Sequence, residues 1–396
     1  MMREEAPPGV RSMQRAPSPA GATDELRARA RATPRSRAAT LALGLVAGFL
    51  AGCAGSGSGF GLTRGASDEG RRALEIDCVG ALAFAPDAQS IASSNGRTLR
   101  VRASPSGRTL KTLDLAGGRG GAVIAFAPGG RWLAASCMGD TAVEVFDTRD
   151  WSERALFLFG PERVGAIALS GDGAEIAVGT DTSRIALCTI ETGAQRILRK
   201  PRALSSEEPT AMSFLAYGDR DRVLFATAGD ETIGIDRALG DVLWSRAEER
   251  ALAVSSDARR LVTRSTRTGA ARIIETAERG EPAVACTLHD PAGPGSALTA
   301  AFAPDQSWIA IGYSRHFLGA NWQELEFFRL TPTKAAKPGS SDAAETLAAR
   351  SIRGLSAGEP RRIAVSPDGK LLGLCTTPTA GIYALDLLIT RDELAE

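Results

Sequence analysis

Histidine is nearly absent from this chain: His289 and His316 are the only two in 396 residues. Zinc sites and Ser–His–Asp relays need imidazoles with partners at convergent positions. The sequence offers none, since His289 falls in the turn-rich HDPAGPG and His316 in SRHFLGANW. Both are expected as exposed loop residues. The six cysteines contain no Cys-x-x-Cys pair, which leaves redox and structural-metal motifs without support. No Gly-x-x-x-x-Gly-Lys loop occurs, and GGRGG at 117–121 is too short to cradle a phosphate. Excess charge is missing too, with 47 Lys plus Arg against 46 Asp plus Glu, so nothing directs the chain to nucleic acid. The Asp-bearing turns SGDG (170–173), GDRD (218–221) and GDET (229–232) lack the closing bidentate acid of a calcium loop and suit hairpin reversals instead. No metal, cofactor or nucleic-acid partner is therefore expected.

What the chain has in quantity is punctuation, with 43 glycines and 20 prolines. The pentapeptide AFAPD occurs at 83–87 and again at 301–305. It belongs to a recurring strand-and-turn phrase: ALAFAPDA (81–88), VIAFAPGG (123–130), AIALSGDG (166–173), AMSFLAYGD (211–219), ALAVSSDA (251–258), TAAFAPDQ (299–306) and RIAVSPDG (362–369). Taking Pro86, Pro128, Gly171, Ala216, Ser256, Pro304 and Pro367 as markers, the gaps are 42, 43, 45, 40, 48 and 63. A period near 40–45 with short alternating strands predicts one four-stranded propeller blade per repeat. Seven repeats over 71–390 predict an all-β, seven-bladed β-propeller of four-stranded antiparallel blades. The last repeat supplies three strands, ending at GIYALDL (381–387), and RALEID (72–77) has no other home. It is expected as the N-terminal strand that closes the last blade. The long final gap is assigned to an insertion, TPTKAAKPGSSDAAE (331–345), expected as a loop of blade six, and 391–396 as a C-terminal tail.

The clearest repeat, LAASCMGDTAVEVFDTRD (133–150), resembles the WD-repeat family. Asp140 sits in its turn, and Phe146-Asp147 stands where Trp-Asp would. AVSPDGKLLGLC (364–375) carries the Ser-Pro-Asp-Gly turn of bacterial propellers of this group. No blade has an intact Trp-Asp or the preceding Gly-His, and with two histidines the buried His–Asp network of that family is not present. The resemblance implies a scaffold that binds other proteins.

The N-terminal region differs in character. Residues 1–40 hold eight arginines against four acids, leaving 47 − 8 = 39 basic and 46 − 4 = 42 acidic residues for the remainder. An Arg-rich stretch precedes the apolar run LALGLVAGFLAG (41–52), whose 12 residues are too few to span a bilayer as a helix. The run ends in Leu50-Ala51-Gly52-Cys53 and resembles the lipobox of bacterial lipoprotein signals. That resemblance implies a signal over 1–53, acylation of Cys53 and anchoring in the cell envelope, at the outer membrane or the periplasmic face of the inner membrane. AGSGSGFG then opens a flexible tether over 54–70.

The five remaining cysteines, Cys78, Cys137, Cys188, Cys286 and Cys375, are odd in number. Cys137 and Cys375 occupy matching places in blades that are not neighbours, so free cysteines serving as small core residues are expected. The surface most suited to a contact is 314–322, read as a long loop of blade six carrying His316, Phe317, Asn321 and Trp322. Aromatic side chains beside polar ones suit a protein or ligand contact, or else Phe317 and Trp322 cover the rim. The favoured reading is a monomeric, lipid-anchored, non-catalytic scaffold for an unidentified protein partner. The alternative is a propeller enzyme, lactonase-like or quinoprotein-like, or a small-ligand-binding propeller. Catalytic residues are not assigned, because the inner strands carry few polar groups.

Overall fold

Each repeat folds as a four-stranded antiparallel sheet whose strands follow one another outward from the axis. The computed structural model describes residues 72–388, apart from 79–80, 138, 199–210, 219, 277–281, 290–294, 318–319, 331–343, 354–359 and 377–378. Blades one to four occupy residues 82–114, 120–158, 164–197 and 212–247, and blades five and six residues 249–289 and 295–353. Blade seven combines Arg362–Val365, Leu371–Cys375 and Thr379–Ala384 with the N-terminal strand Arg72–Asp77. Leu74 pairs with Ile382 and Asp77 with Thr379, so the closure expected of RALEID is the one observed. The ring therefore has seven blades and no open edge along the closure.

AFAPD is a turn solved once and reused. The amide of Ala88 donates to the carbonyl of Ala85 at 2.9 Å, and Gly130, Gly173, Ala258, Gln306 and Gly369 each do the same to the residue three before. All six adopt left-handed backbone, with φ between 57° and 76°. Three of the six are glycine, the residue for which that region carries no Cβ penalty. Where serine opens the turn, its hydroxyl completes the reversal. Ser170, Ser255 and Ser366 each donate to the aspartate two residues on at 2.6 Å. Ala-Phe-Ala-Pro-Asp and Ser-Pro-Asp-Gly are thus two chemistries for one geometry.

Inner strands carry a register shift near their start, as at Val164/Ala166, Ala251/Ala253 and Ala297/Thr299. Such bulges increase local twist, which the turn from blade to blade requires. The second and third strands are sandwiched on both faces by neighbouring blades. Trp132–Cys137 and Ala142–Asp147 are buried at every position, which is why they read as continuous apolar runs rather than alternations. The core consequently lies between blades. Val145 and Phe157 of blade two meet Ile176 and Val178 of blade three, and Trp308 and Phe327 of blade six meet Leu372 and Tyr383 of blade seven.

Several expectations are corrected. Cys78 and Cys375 form a disulfide, Cα–Cα 6.1 Å, between residues 297 apart in sequence. Cys78 lies between the closing strand and blade one, so ring closure makes it a neighbour of blade seven. Cys137, Cys188 and Cys286 are buried core residues, as expected, and burial pushes the Cys188 thiol up to about 12. His289 is not in a loop but ends the outer strand Ala283–His289, opposite Leu347. That strand pairs in parallel with Ala344–Arg353, the outer strand of blade six, and joins blades five and six into one eight-stranded sheet. Of the expected insertion, residues 344 and 345 belong to this strand, and 331–343 lie outside the described residues. The signal, Leu50, Ala51, Gly52, Cys53, the tether and the tail at 391–396 also lie outside them.

Asp147, in the place of the Asp of Trp-Asp, is closed to solvent with 0% side-chain exposure. Arg149 donates to it three times, from its amide and Nε at 3.0 Å each and from Nη2 at 2.7 Å, while Arg131 and Arg154 each stand 3.6 Å away. Those hydrogen bonds hold its carboxyl far below the usual range, against the opposing pull of burial. A depressed folded-state pKa contributes stability above the unfolded value of ~3.9, lost as pH falls through the folded one. Asp147→Asn should cost about 1.5–3 kcal/mol at neutral pH. In urea unfolding, its deficit relative to wild type should shrink in strong acid.

Candidate functional site

Blade six is longer than its neighbours. Its strands Gly295–Phe302, Trp308–Phe317, Ala320–Arg329 and Ala344–Arg353 have 8, 10, 10 and 10 residues. Those of blade two have 7, 6, 6 and 6. Trp132 and Trp308 start their strands at equivalent places after the inner turn, so the surplus lies at the far end. Four extra residues at about 3.3 Å each raise a wall of about 13 Å above that face of the ring.

The segment 314–322 is therefore a hairpin, not the long loop expected. His316 is paired with Asn321, Phe317 with Ala320 and Trp322 with Arg315. The structure brings these four candidate residues to one hairpin end, on opposed strands. Their side chains lie outside the described ones.

The base of the hairpin is held by a buried charge network that the sequence reading missed. Arg315 is fully buried, and its Nε donates to Glu324 Oε2 at 2.9 Å and its Nη2 to Glu326 Oε1 at 2.5 Å. Its guanidinium lies 4.3 Å from the centre of the Tyr313 ring. Burial, with the two carboxylates adding to it, drives the Tyr313 phenol well above its ordinary range. The register explains the convergence. Tyr313 is opposite Glu324 and Ile311 opposite Glu326, so alternate residues on both strands share the face turned to blade five. A guanidinium fixed by two carboxylates and a ring has few alternative geometries. It makes a stiff base for whatever the hairpin end touches.

On the same face, hydroxyl groups tie neighbouring blades together where the WD-repeat family uses histidine. The Ala251 amide of blade five donates to Thr227 Oγ1 at 3.1 Å and Thr232 Oγ1 at 3.0 Å of blade four. The Ile363 amide of blade seven donates to Thr299 Oγ1 of blade six at 3.1 Å, and Ser94 of blade one donates to the Gly120 carbonyl at 3.3 Å. In blade two, Ser136 Oγ donates to Asp140 Oδ1 at 2.6 Å. Asp140 thus orders its turn without an imidazole. For Ser94, Ser136 and Thr227 the signal in the sequence is a Ser or Thr at the end of the second strand. Among the described residues no group of three or more His, Cys, Asp or Glu could hold a metal ion.

No family model matches the chain, and no curated protein matches it. Solved structures do. The β-propeller domain of Cps50 (Swd1) from Myceliophteria thermophila superposes with a TM-score of 0.63 at 14% identity, covering 79% of this chain and 99% of that one. A chain of a mitotic checkpoint complex gives 0.63 at 14% identity, covering 89% and 99%. At that identity the likeness carries the fold. The chain is a seven-bladed propeller of WD-repeat-like architecture, without the sequence marks of the strict family.

Proposed function

We propose that the chain is a non-catalytic interaction propeller of the bacterial envelope, held by acyl groups on Cys53, that docks a protein partner on the blade-six hairpin. The observation that carries the docking reading is the extended hairpin itself, a stiff-based wall standing above the ring with His316, Phe317, Asn321 and Trp322 at its end. Aromatic residues on a rigid element that projects from a scaffold are suited to anchoring a partner. The similarity to a chain of a mitotic checkpoint complex supports the class of function. Export is supported by two independent features. Leu50-Ala51-Gly52-Cys53 supplies the attachment signal, and the Cys78–Cys375 disulfide fits an oxidising compartment.

Photo-crosslinking in intact cells tests the docking site. A photoreactive side chain at His316 or Asn321 should give one discrete adduct. The same group at Asp87 or Asp172, in turns at the opposite end of the blades, should give none. No adduct from the hairpin, or equal adducts from both ends, would contradict the reading.

A further inference from the structure

The opposite face of the ring carries a second surface, formed where blades six and seven meet. Their inner turns and helix α1 (Leu385–Leu388) enclose a groove of about 860 Å³. That is within the range of ligand pockets. Its floor is apolar, with Trp308, Leu371 and Leu385. Its walls carry three carboxylates, Asp305, Asp368 and Asp386, against one ammonium, Lys370. Lys370 Nζ stands 3.6 Å from Asp368 Oδ2, so one positive charge faces three negative ones and a net of −2 is left.

At this junction the turn position that in blade six reaches back is a glycine. At the preceding junction Gln306, the left-handed residue of the blade-six turn, reaches back to blade five and donates to Ser256 Oγ at 3.0 Å. Between blades three and four, Asp221 closes the gap by accepting from the Gly171 amide at 2.8 Å. In blade seven the residue equivalent to Gln306 is Gly369, which has no side chain to reach across. The groove is lined by carboxylates already fixed in place. Asp305 Oδ1 accepts from the Ser307 amide at 3.0 Å and its hydroxyl at 2.7 Å. Asp368 Oδ1 accepts from Ser366 Oγ at 2.6 Å and the Lys370 amide at 3.2 Å. The Ser307 bonds hold Asp305 below the usual carboxylate range. For Asp368, burial pushes the other way, and the bonds from Ser366 and Lys370 outweigh it. Both are anionic at neutral pH.

We infer that this groove binds an extended segment of a partner protein carrying lysine or arginine side chains, whose alkyl stems lie on the apolar floor while their charges meet Asp305, Asp368 and Asp386. Charge complementarity selects the occupant. A net-negative groove repels acidic segments, and preorganised carboxylates need little ordering to receive a cation. Long basic side chains satisfy both parts of the lining, since they bury methylenes and keep a charged head at the rim. This site lies on the other face from the hairpin and does not depend on it.

Fluorescence anisotropy with full-length protein in detergent tests the proposal, using a labelled peptide of Lys-Pro-Ala repeats and its Glu-Pro-Ala counterpart. The lysine peptide should bind saturably, the glutamate peptide should not, and added salt should weaken the complex. Asp305→Asn/Asp368→Asn/Asp386→Asn retains the turn hydrogen bonds and should weaken binding about tenfold or more. Asp87→Asn, the same turn chemistry in blade one, should leave it unchanged. No saturable binding would overturn the proposal, as would equal loss in the blade-one control. Equally tight binding of free spermidine would assign the groove to small polycations instead. Dimerisation abolished by the triple substitution would assign it to a second copy. Either result overturns the peptide assignment.

Discussion

Cys78→Ser/Cys375→Ser should lose about 2–5 kcal/mol of stability, read as a lowered urea midpoint. The bond spans 297 residues. Chain-entropy scaling for a loop of that size gives about 5–6 kcal/mol, and native bonds deliver somewhat less. Location adds to the effect. The bond ties the segment after the closing strand to the second strand of blade seven, at the one junction where the chain's two ends meet. Without it, Arg72–Asp77 is held to blade seven by its pairing with Thr379–Ala384 and by packing of Ile76. Amide exchange should therefore quicken first in Arg72–Asp77 and Thr379–Ala384. Alanine at Cys137, Cys188 or Cys286, small side chains buried in the core, should shift the midpoint far less. A double variant as stable as wild type would remove the clasp from the account.

Arg315→Met should cost about 3–5 kcal/mol, because it leaves Glu324 and Glu326 buried beside each other without their cation. The pH dependence separates this from lost packing. A carboxyl stranded in a buried site takes a raised folded-state pKa. Between the unfolded and folded values the native state then binds more protons, so stability falls as pH rises. The deficit of Arg315→Met should thus be largest at neutral pH and shrink on acidification. A packing defect would be flat. Replacing all three charges, as in Arg315→Met/Glu324→Leu/Glu326→Met, should recover much of the loss, since apolar side chains of similar volume substitute well for buried ion networks. If the single variant is stable and its deficit flat with pH, the network is not what stiffens the hairpin.

The parts of the fold that were legible from sequence are those that repeat locally. AFAPD and SPDG recur because six of the blades place one left-handed residue after the same reversal, so Pro86, Pro304 and Pro367 keep time for the ring. RALEID could be placed because blade seven lacked a strand. What was missed depends on contacts that no local pattern encodes. Cys78 and Cys375 meet only once the ring has closed. Arg315 finds Glu324 and Glu326 across a strand register, and a shift of one residue would have put them on opposite faces. SRHFLGANW reads as a loop because its glycine and mixed polarity hide the pairing of His316 with Asn321. The acidic groove is invisible for a similar reason, since its walls come from turns 63 residues apart.

The proposed export and anchoring would decide where any partner is met. Metabolic labelling with an alkyne palmitate analogue, followed by mass spectrometry of the N-terminal fragment, tests them most directly. The account predicts that the wild-type chain labels, begins at an acylated Cys53 and sediments with membranes, whereas Cys53→Ala does none of these. A Cys53→Ala protein that labels as well as wild type, or a wild-type protein with an unmodified Cys53 thiol, would contradict it.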